Sequence, residues 1–579
     1  MANINKIWAL FSASQKRGSF YLVILMLIGA IFESFGLGMV LPLVAVMTTP
    51  ETITHNPYVQ PVLETLGNPD NETVFFMFLG IFVGLFIIST LYKLWLSWHL
   101  TSFLNNLKID TSTRLYKTYL YQTWSFHLER HSANLTQNVI KEVSLLSQYA
   151  FSGIFTLMRE TIFLSVICIT LIYVSPAASM VVISALILLS AIFQKLSKMR
   201  IHRWAKIRQQ DEANTLKCIQ ESLGIVRELK LSGKENTFLE IFRKYSQSLN
   251  NTERKQSFMR QLARPVFEIT GLFGLSASII AMSLAGMELK EMAPVLVLFA
   301  TLVLRILPSL NQALTALHGI RYIAPVIDTI YDELTSLNTQ TDNSTNPPLA
   351  LESELALVNV HFSYKDAETP TLTDVSIKIQ KGSFSAFVGK TGAGKSTLID
   401  LVLGLLTPSS GRITIDKVDI QTNLGGWQKQ IGYVGQNIVL IDDTIRNNIA
   451  LGVAENQIDD TKIWQSLEAA QLDEFVRNQP DKLDTKIGER GARLSGGERQ
   501  RLGVARALYS DPSILILDEA TSALDDKNQE LIMNVLNQLK QQKTIIMITH
   551  RLETVKYCDN VFSVEDGTVV NIKSSDAPI

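Results

Sequence analysis

Phe384-Ser385-Ala386-Phe387-Val388-Gly389-Lys390-Thr391-Gly392-Ala393-Gly394-Lys395-Ser396-Thr397 decides the fold of the second half of this 579-residue chain. The first five residues read as a strand. The next eight, Gly389–Ser396, fit Gly-x-x-x-x-Gly-Lys-Ser/Thr, Thr397 follows, and the apolar run Leu398–Leu406 continues as a helix. Glycines let the backbone turn tightly and aim N–H groups at phosphate oxygens. The helix N-terminus adds positive potential. Gly389, Thr391, Gly392, Gly394 and Thr397 are therefore expected to cradle the phosphates of a nucleotide. Lys395 is expected to reach the β and γ phosphates, and Ser396 to ligate Mg²⁺.

Downstream, Ile514-Leu515-Ile516-Leu517-Asp518-Glu519 reads as a buried strand ending in two carboxylates. Nucleotide chemistry in open α/β sheets lies at that carboxyl edge. Asp518 is expected to hold Mg²⁺, directly or through water, and Glu519 to orient and polarise an attacking water. Short β-rich runs alternating with helices from about residue 350 onward give this half an α/β character.

Between the two motifs lies Leu494-Ser495-Gly496-Gly497-Glu498, followed by the helix-like Arg499–Tyr509. With it the chain resembles the ABC ATPase family across Leu355–Thr568. The resemblance implies ATP and Mg²⁺ as cofactors and assigns further roles. Tyr364 matches the aromatic that stacks on adenine. Gln436 matches the glutamine that senses Mg²⁺ and couples to a membrane domain. Ser495, Gly496 and Gly497 match the signature, Asp525 the D-loop, and His550 the switch histidine of the γ-phosphate. Two positions depart from the family pattern: Glu498, where Gln is usual, and Gly435, where Pro is frequent. Thr485–Gly491 resembles the exporter-specific X-loop, which favours export over import.

The first half is different. Hydrophobic residues make up 47% of the chain and charged residues 18%, with a formal net charge of −1. That balance excludes a nucleic-acid binder held by a general basic field. The three cysteines, Cys168, Cys218 and Cys558, form no CxxC pair, which argues against a zinc site or a disulfide framework. A membrane helix needs about 20 mostly apolar residues. Six runs qualify: Ser19–Met47, Val74–Leu96, Tyr149–Val174, Ala177–Leu196, Pro265–Leu284 and Met292–Leu310. The first outlasts a signal-peptide core, with no small-residue cleavage pattern after it, and reads as a retained span. Pro50–Thr73 contains no Lys or Arg, whereas Ser97–Gln148 and Ser197–Arg264 are rich in both. The positive-inside bias places those long segments and both termini in the cytoplasm, with the chain in the cytoplasmic (inner) membrane. The long segments read as helical extensions, with turns near His127–Ser132 and Gly224–Lys230 meeting a cytoplasmic partner. The expected division is a transmembrane domain at 1–335, a linker at 336–351 and a nucleotide-binding domain at 352–579.

Glu33, Arg159, Glu160, Arg264, Glu268 and Arg305 fall in or beside the spans, where an exposed charge costs roughly 2.5–3.5 kcal/mol. They are expected to face a polar cavity or to pair, for instance Arg159 with Glu268. A cavity lined by Arg suits a phosphate or pyrophosphate. Ile31–Phe35 through Leu41-Pro42, Arg264–Glu268 and Leu304–Asn311 resemble PglK-type flippases of lipid-linked oligosaccharides. That resemblance implies a polyprenyl-pyrophosphate substrate contacted by Arg264 and Arg305, with Glu33 and Glu268 nearby, and an external amphipathic helix at Asn56–Leu66. In the ABC family one chain's signature faces another chain's phosphate loop, so the chain is expected to act as a homodimer. Three readings follow: a flippase of a lipid-linked glycan, an exporter of drugs, lipids or peptides, and an ATP-gated channel or regulator. Intact Glu519 and His550 argue against the last.

Overall fold

The computed structural model describes residues 2–39, 43, 46, 60–65, 70–174, 176–284, 289–337, 346–365, 367–519, 526–540 and 542–572. The chain divides into two compact units. One comprises Met1–Gln122 and Glu129–Thr339; the other comprises Gln340–Ile579 together with the short segment Thr123–Leu128. Residues 338–345 of the expected linker lie outside the described residues.

The first unit is helical. All six expected spans fall on long helices: Ala13–Gly38, Asn71–Leu120, Ser152–Val174, Pro176–Gly224, Glu235–Leu284 and Leu289–Tyr322. Most of the first span beyond Met39 lies outside the described residues. Among the described residues, Ala13–Glu33, Glu72–Leu120 and Ser132–Ile169 are long and apolar enough to cross a bilayer. Pro176–Gly224 and Glu235–Leu284 run for 49 and 50 residues. At 1.5 Å per residue each is about 75 Å long, well over twice the ~30 Å hydrocarbon thickness of a bilayer, so a membrane would cover less than half of either. Of the expected external helix Asn56–Leu66, the described part Gln60–Thr65 is helical.

The tips of the extensions are short helices. Trp124–Glu129 begins three residues before the turn expected at His127, and Val226–Ser232 follows the break at Gly224. Gly233, at φ +63°, ends the second by adopting the left-handed conformation that favours glycine. Buried charges knit the extensions together. Arg208 donates to Glu142 at 3.1 Å and also pairs with Glu212, all three being buried. Glu333, on the helix Ala324–Ser336, accepts hydrogen bonds from Tyr119, from Arg130 at 2.7 Å and from Asn138 at 3.2 Å. Such groups are stable inside a protein only when paired.

The second unit contains two sheets. An antiparallel sheet has the order β2-β1-β4-β5, formed by Glu354–Phe362 (β1), Leu372–Gln380 (β2), Ser410–Ile415 (β4) and Val418–Asp419 (β5). The other sheet has the order β10-β9-β3-β8-β7-β6, formed by Phe384–Val388 (β3), Ile431–Val434 (β6), Ile514–Asp518 (β7), Thr544–Ile548 (β8), Asn560–Glu565 (β9) and Thr568–Ile572 (β10). Strands β9, β3, β8, β7 and β6 run parallel. Alternate strand residues point to opposite faces, and a parallel sheet is covered on both. Ile514 and Ile516 accordingly join the core that contains Leu398 and Val402, while Leu515 and Leu517 join the core that contains Leu502 and Leu536. The register of β3, β8, β7 and β6 brings their carboxyl ends side by side.

Candidate functional site

At that edge the chain leaves β3 through Gly389, whose φ is +146° and where an added Cβ would sit 2.2 Å from the Val564 carbonyl oxygen. Gly394, at φ +103°, caps the helix Lys395–Val402. No side chain fits the first position without displacing backbone, which explains the glycines. Lys395 is buried, and its ammonium donates to the carbonyls of Gly389 at 2.8 Å and Lys390 at 2.9 Å. Burial pushes its pKa below the ordinary value, against the pull of Glu519 and Asp518. Gly392, Thr391 and the exposed Ser396 occupy the same loop and helix start. Thr397 shares a hydrogen bond of 3.1 Å with the Tyr364 hydroxyl. Tyr364 stands edge-on to Phe362 with 40% of its surface exposed, so its ring is open to a stacking partner.

Glu519 follows β7 in the left-handed region, at φ +48°. Its carboxylate accepts from the Gln436 amide at 2.7 Å and faces His550 Nε2 at 3.0 Å. Two residues, from the ends of β6 and β8, therefore meet on the carboxylate at the end of β7. Burial raises the Asp518 pKa, and the Glu519 charge raises it further, with Lys395 opposing. The donor set fits a nucleotide with a divalent cation: Ser396 and Asp518 offer oxygens, Gln436 offers an amide oxygen, and Lys395 offers an ammonium.

Ser495, Gly496 and Gly497 lie at the start of the helix Gly496–Leu508, and among the described residues no side-chain hydrogen bond or ion pair joins Ser495 to this cluster. Ser495 accepts from the Glu498 N–H at 3.3 Å, and Glu498 accepts from the Ser495 N–H at 2.7 Å. Ser495 is exposed, and with its oxygen accepting in this capping box its hydroxyl retains a proton to donate. Glu498 fills the position that either Glu or Gln can fill in such a box, so the departure at this residue keeps the cap. At Gly435 an added Cβ would lie 3.1 Å from the Tyr433 hydroxyl, so the glycine makes room for that ring. Asp525 lies outside the described residues. Thr485–Gly491 pairs with the segment after Gln436: Ile445 donates to Thr485 at 3.0 Å and Ile487 to Asp443 at 3.2 Å.

A second site lies within the helical unit. Glu33 pairs with Arg305 at 3.1 Å and with Lys93 at 2.7 Å. Glu160 pairs with Arg159 at 2.6 Å and accepts from Ser309 at 2.5 Å; Arg159 also donates to Gln312 at 2.6 Å. These groups line a cavity of about 290 Å³. Arg264 and Glu268 do not line it. They pair with each other at 2.7 Å, one helical turn apart and largely exposed on the isolated chain. The pairing of Arg159 with Glu268 weighed from sequence is therefore not formed, because each has a nearer partner. Sequence reasoning missed Lys93; its signal was a lysine inside an apolar run. It also missed Asp400, on the helix that starts at Lys395. Burial, with Asp518 adding, pushes that carboxyl up to about 6, opposed by a hydrogen bond from Trp124.

Comparisons with known proteins agree with this geometry. Residues 372–522 match the family described as ABC transporter, and residues 18–306 match the ABC transporter transmembrane region. The chain is 32% identical over 455 residues to ABC transporter B family member 29, chloroplastic, of Arabidopsis thaliana, covering 77% of this chain and 70% of that protein. It is 31% identical over 476 residues to an ATP-dependent lipid A-core flippase of Cupriavidus pinatubonensis, covering 80% and 79%. A solved bacterial Atm1-family ABC exporter with ATP bound superposes with a TM-score of 0.79 over 98% of this chain and 96% of that one, at 21% identity.

Proposed function

This chain belongs to the ABC transporter family and couples ATP hydrolysis to transport across a membrane; on that premise we propose how its residues do so and what they carry. The domains are those read from sequence, with the nucleotide-binding domain at 352–579. Two copies pair in the cytoplasmic (inner) membrane with both termini cytoplasmic. ATP lies between the phosphate loop of one copy and Ser495–Gly497 of the other, with Asp525 at the seam. The ATP phosphates supply the negative charge that donors of both chains bind. Tyr364 stacks on the base. Lys395 leaves its two carbonyl partners for the phosphates. Ser396, Gln436 and Asp518 would hold Mg²⁺, which would supply positive charge against the phosphate oxygens. Glu519, held by Gln436 and His550, takes up the attacking water, and His550 turns toward the γ-phosphate. Hydrolysis weakens the bridge, because ATP favours the closed pair only through differential affinity. Trp124, beside Asp400, passes the motion toward the helices.

The carried molecule is an amphipath with an anionic, phosphate-bearing headgroup, and we favour a lipid-linked oligosaccharide. The supporting observation is the cavity in which, among the described residues, Lys93, Arg159 and Arg305 face two carboxylates, Glu33 and Glu160. A phosphate completes that balance, and guanidinium groups bind it bidentately. Relatives named as lipid A-core flippases support a lipid-borne substrate. Arg264 and Glu268 contribute from the pathway's wall in the dimer. The test is a flipping assay in proteoliposomes comparing a polyprenyl-pyrophosphate glycan with phospholipids and cationic drugs. Flipping of the glycan that falls at least about tenfold in Arg305→Ala, with basal hydrolysis retained, is the expected result. Drug export without glycan flipping contradicts the substrate, and equal loss of both activities makes Arg305 a structural residue.

A further inference from the structure

A second cavity, of about 650 Å³, lies between the N-terminal helix Ala2–Leu10, the start of Ala13–Gly38 and the start of Ser152–Val174. Its floor is tightly packed: Phe155 is 1% and Phe11 5% exposed, and Phe11 meets Phe151 edge-on at 5.3 Å. Its rims are open: Trp8 is 47% and Phe20 69% exposed. The wall is apolar apart from Ser19, whose hydroxyl is committed to the Gln15 carbonyl at 2.8 Å, and two cations, Lys16 and Arg17. No carboxylate lines it among the described residues. Lys16 reaches over the Trp8 ring, 5.8 Å from its centroid, at the mouth.

We propose that this groove binds one anionic phospholipid of the surrounding leaflet, with an acyl chain along Phe20, Phe155 and Met158 and its phosphate on Lys16 and Arg17. The arrangement follows membrane depth. Lys16 and Arg17 stand just before the apolar run of the first span, where headgroups lie. Phe20 and the third span's Met158 fall deeper, where chains lie. Trp8, beside Lys16, sits at the boundary that tryptophan prefers. An apolar groove of this size is costly against water but is filled in a bilayer, and adjacent cations at its mouth choose an anionic lipid over a zwitterionic one.

The full chain released from mixed phosphatidylglycerol and phosphatidylcholine nanodiscs, examined by native mass spectrometry, tests this. The wild type should retain phosphatidylglycerol over phosphatidylcholine by about tenfold. The double variant Lys16→Gln, Arg17→Gln should retain the two equally. Val23→Trp, which fills the groove and keeps both cations, should lower the retained phosphatidylglycerol. Both variants should hydrolyse ATP in detergent like the wild type, which reports that they are folded. Unchanged lipid selectivity in the double variant overturns the proposal. So does unchanged retention in Val23→Trp, because the cations would then act without a groove.

Discussion

Glu519 shows how much chemistry rests on one side chain. Its carboxylate holds both an amide and an imidazole, so the residue is positioned before nucleotide arrives. Glu519→Gln keeps the shape and loses the base. It should retain ATP while steady-state hydrolysis falls at least about 100-fold, measured with purified protein. Normal turnover in that variant contradicts the assignment. Lys395→Ala removes charge-assisted hydrogen bonds, and nucleotide affinity should fall about 10- to 100-fold in an equilibrium binding measurement. The residues of this site were legible because each sits at a fixed offset from a glycine or a strand end. Lys93 and Asp400 were not. Their significance comes from which other helices they meet, Glu33 in one case and Trp124 in the other, and linear spacing carries no record of that.

At the scale of elements, the helix Ala324–Ser336 and the segments flanking Trp124–Glu129 share one buried carboxyl. Glu333 is 8% exposed, and burial pushes it up to about 7. Its partner Arg130 is 42% exposed and therefore screened, so desolvation outweighs the ion pair. A carboxyl raised above its unfolded value favours the folded state while protonated. Its contribution is present below the ordinary value of 4.5 and is lost as pH rises to about 7. The melting temperature of the wild type should therefore drop relative to Glu333→Gln across that window, measured over a pH series. Parallel curves for the two proteins contradict this. Spans and strands were readable from sequence because apolar period and length declare them. The tip helix Trp124–Glu129 was displaced by three residues in the reading, since its six residues are too few for a period to show.

On the scale of the whole molecule, the division between an apolar helical half and an α/β half was visible in composition alone. The proposed arrangement, in which a second chain completes the site, was not visible there; it came from the resemblance of Ser495–Gly497 to the ABC signature. Within one copy, Ser495 is bonded into its own capping box and no hydrogen bond or ion pair joins it to the phosphate loop among the described residues. A shared interface predicts that pattern. The most direct measurement uses Glu519→Gln with Cys168, Cys218 and Cys558 replaced, and Thr391→Cys and Ser495→Cys introduced. A short bifunctional thiol reagent should then link two chains when ATP and Mg²⁺ are present and leave them separate without nucleotide. Linkage confined to one chain, or linkage between chains that ignores ATP, contradicts the account.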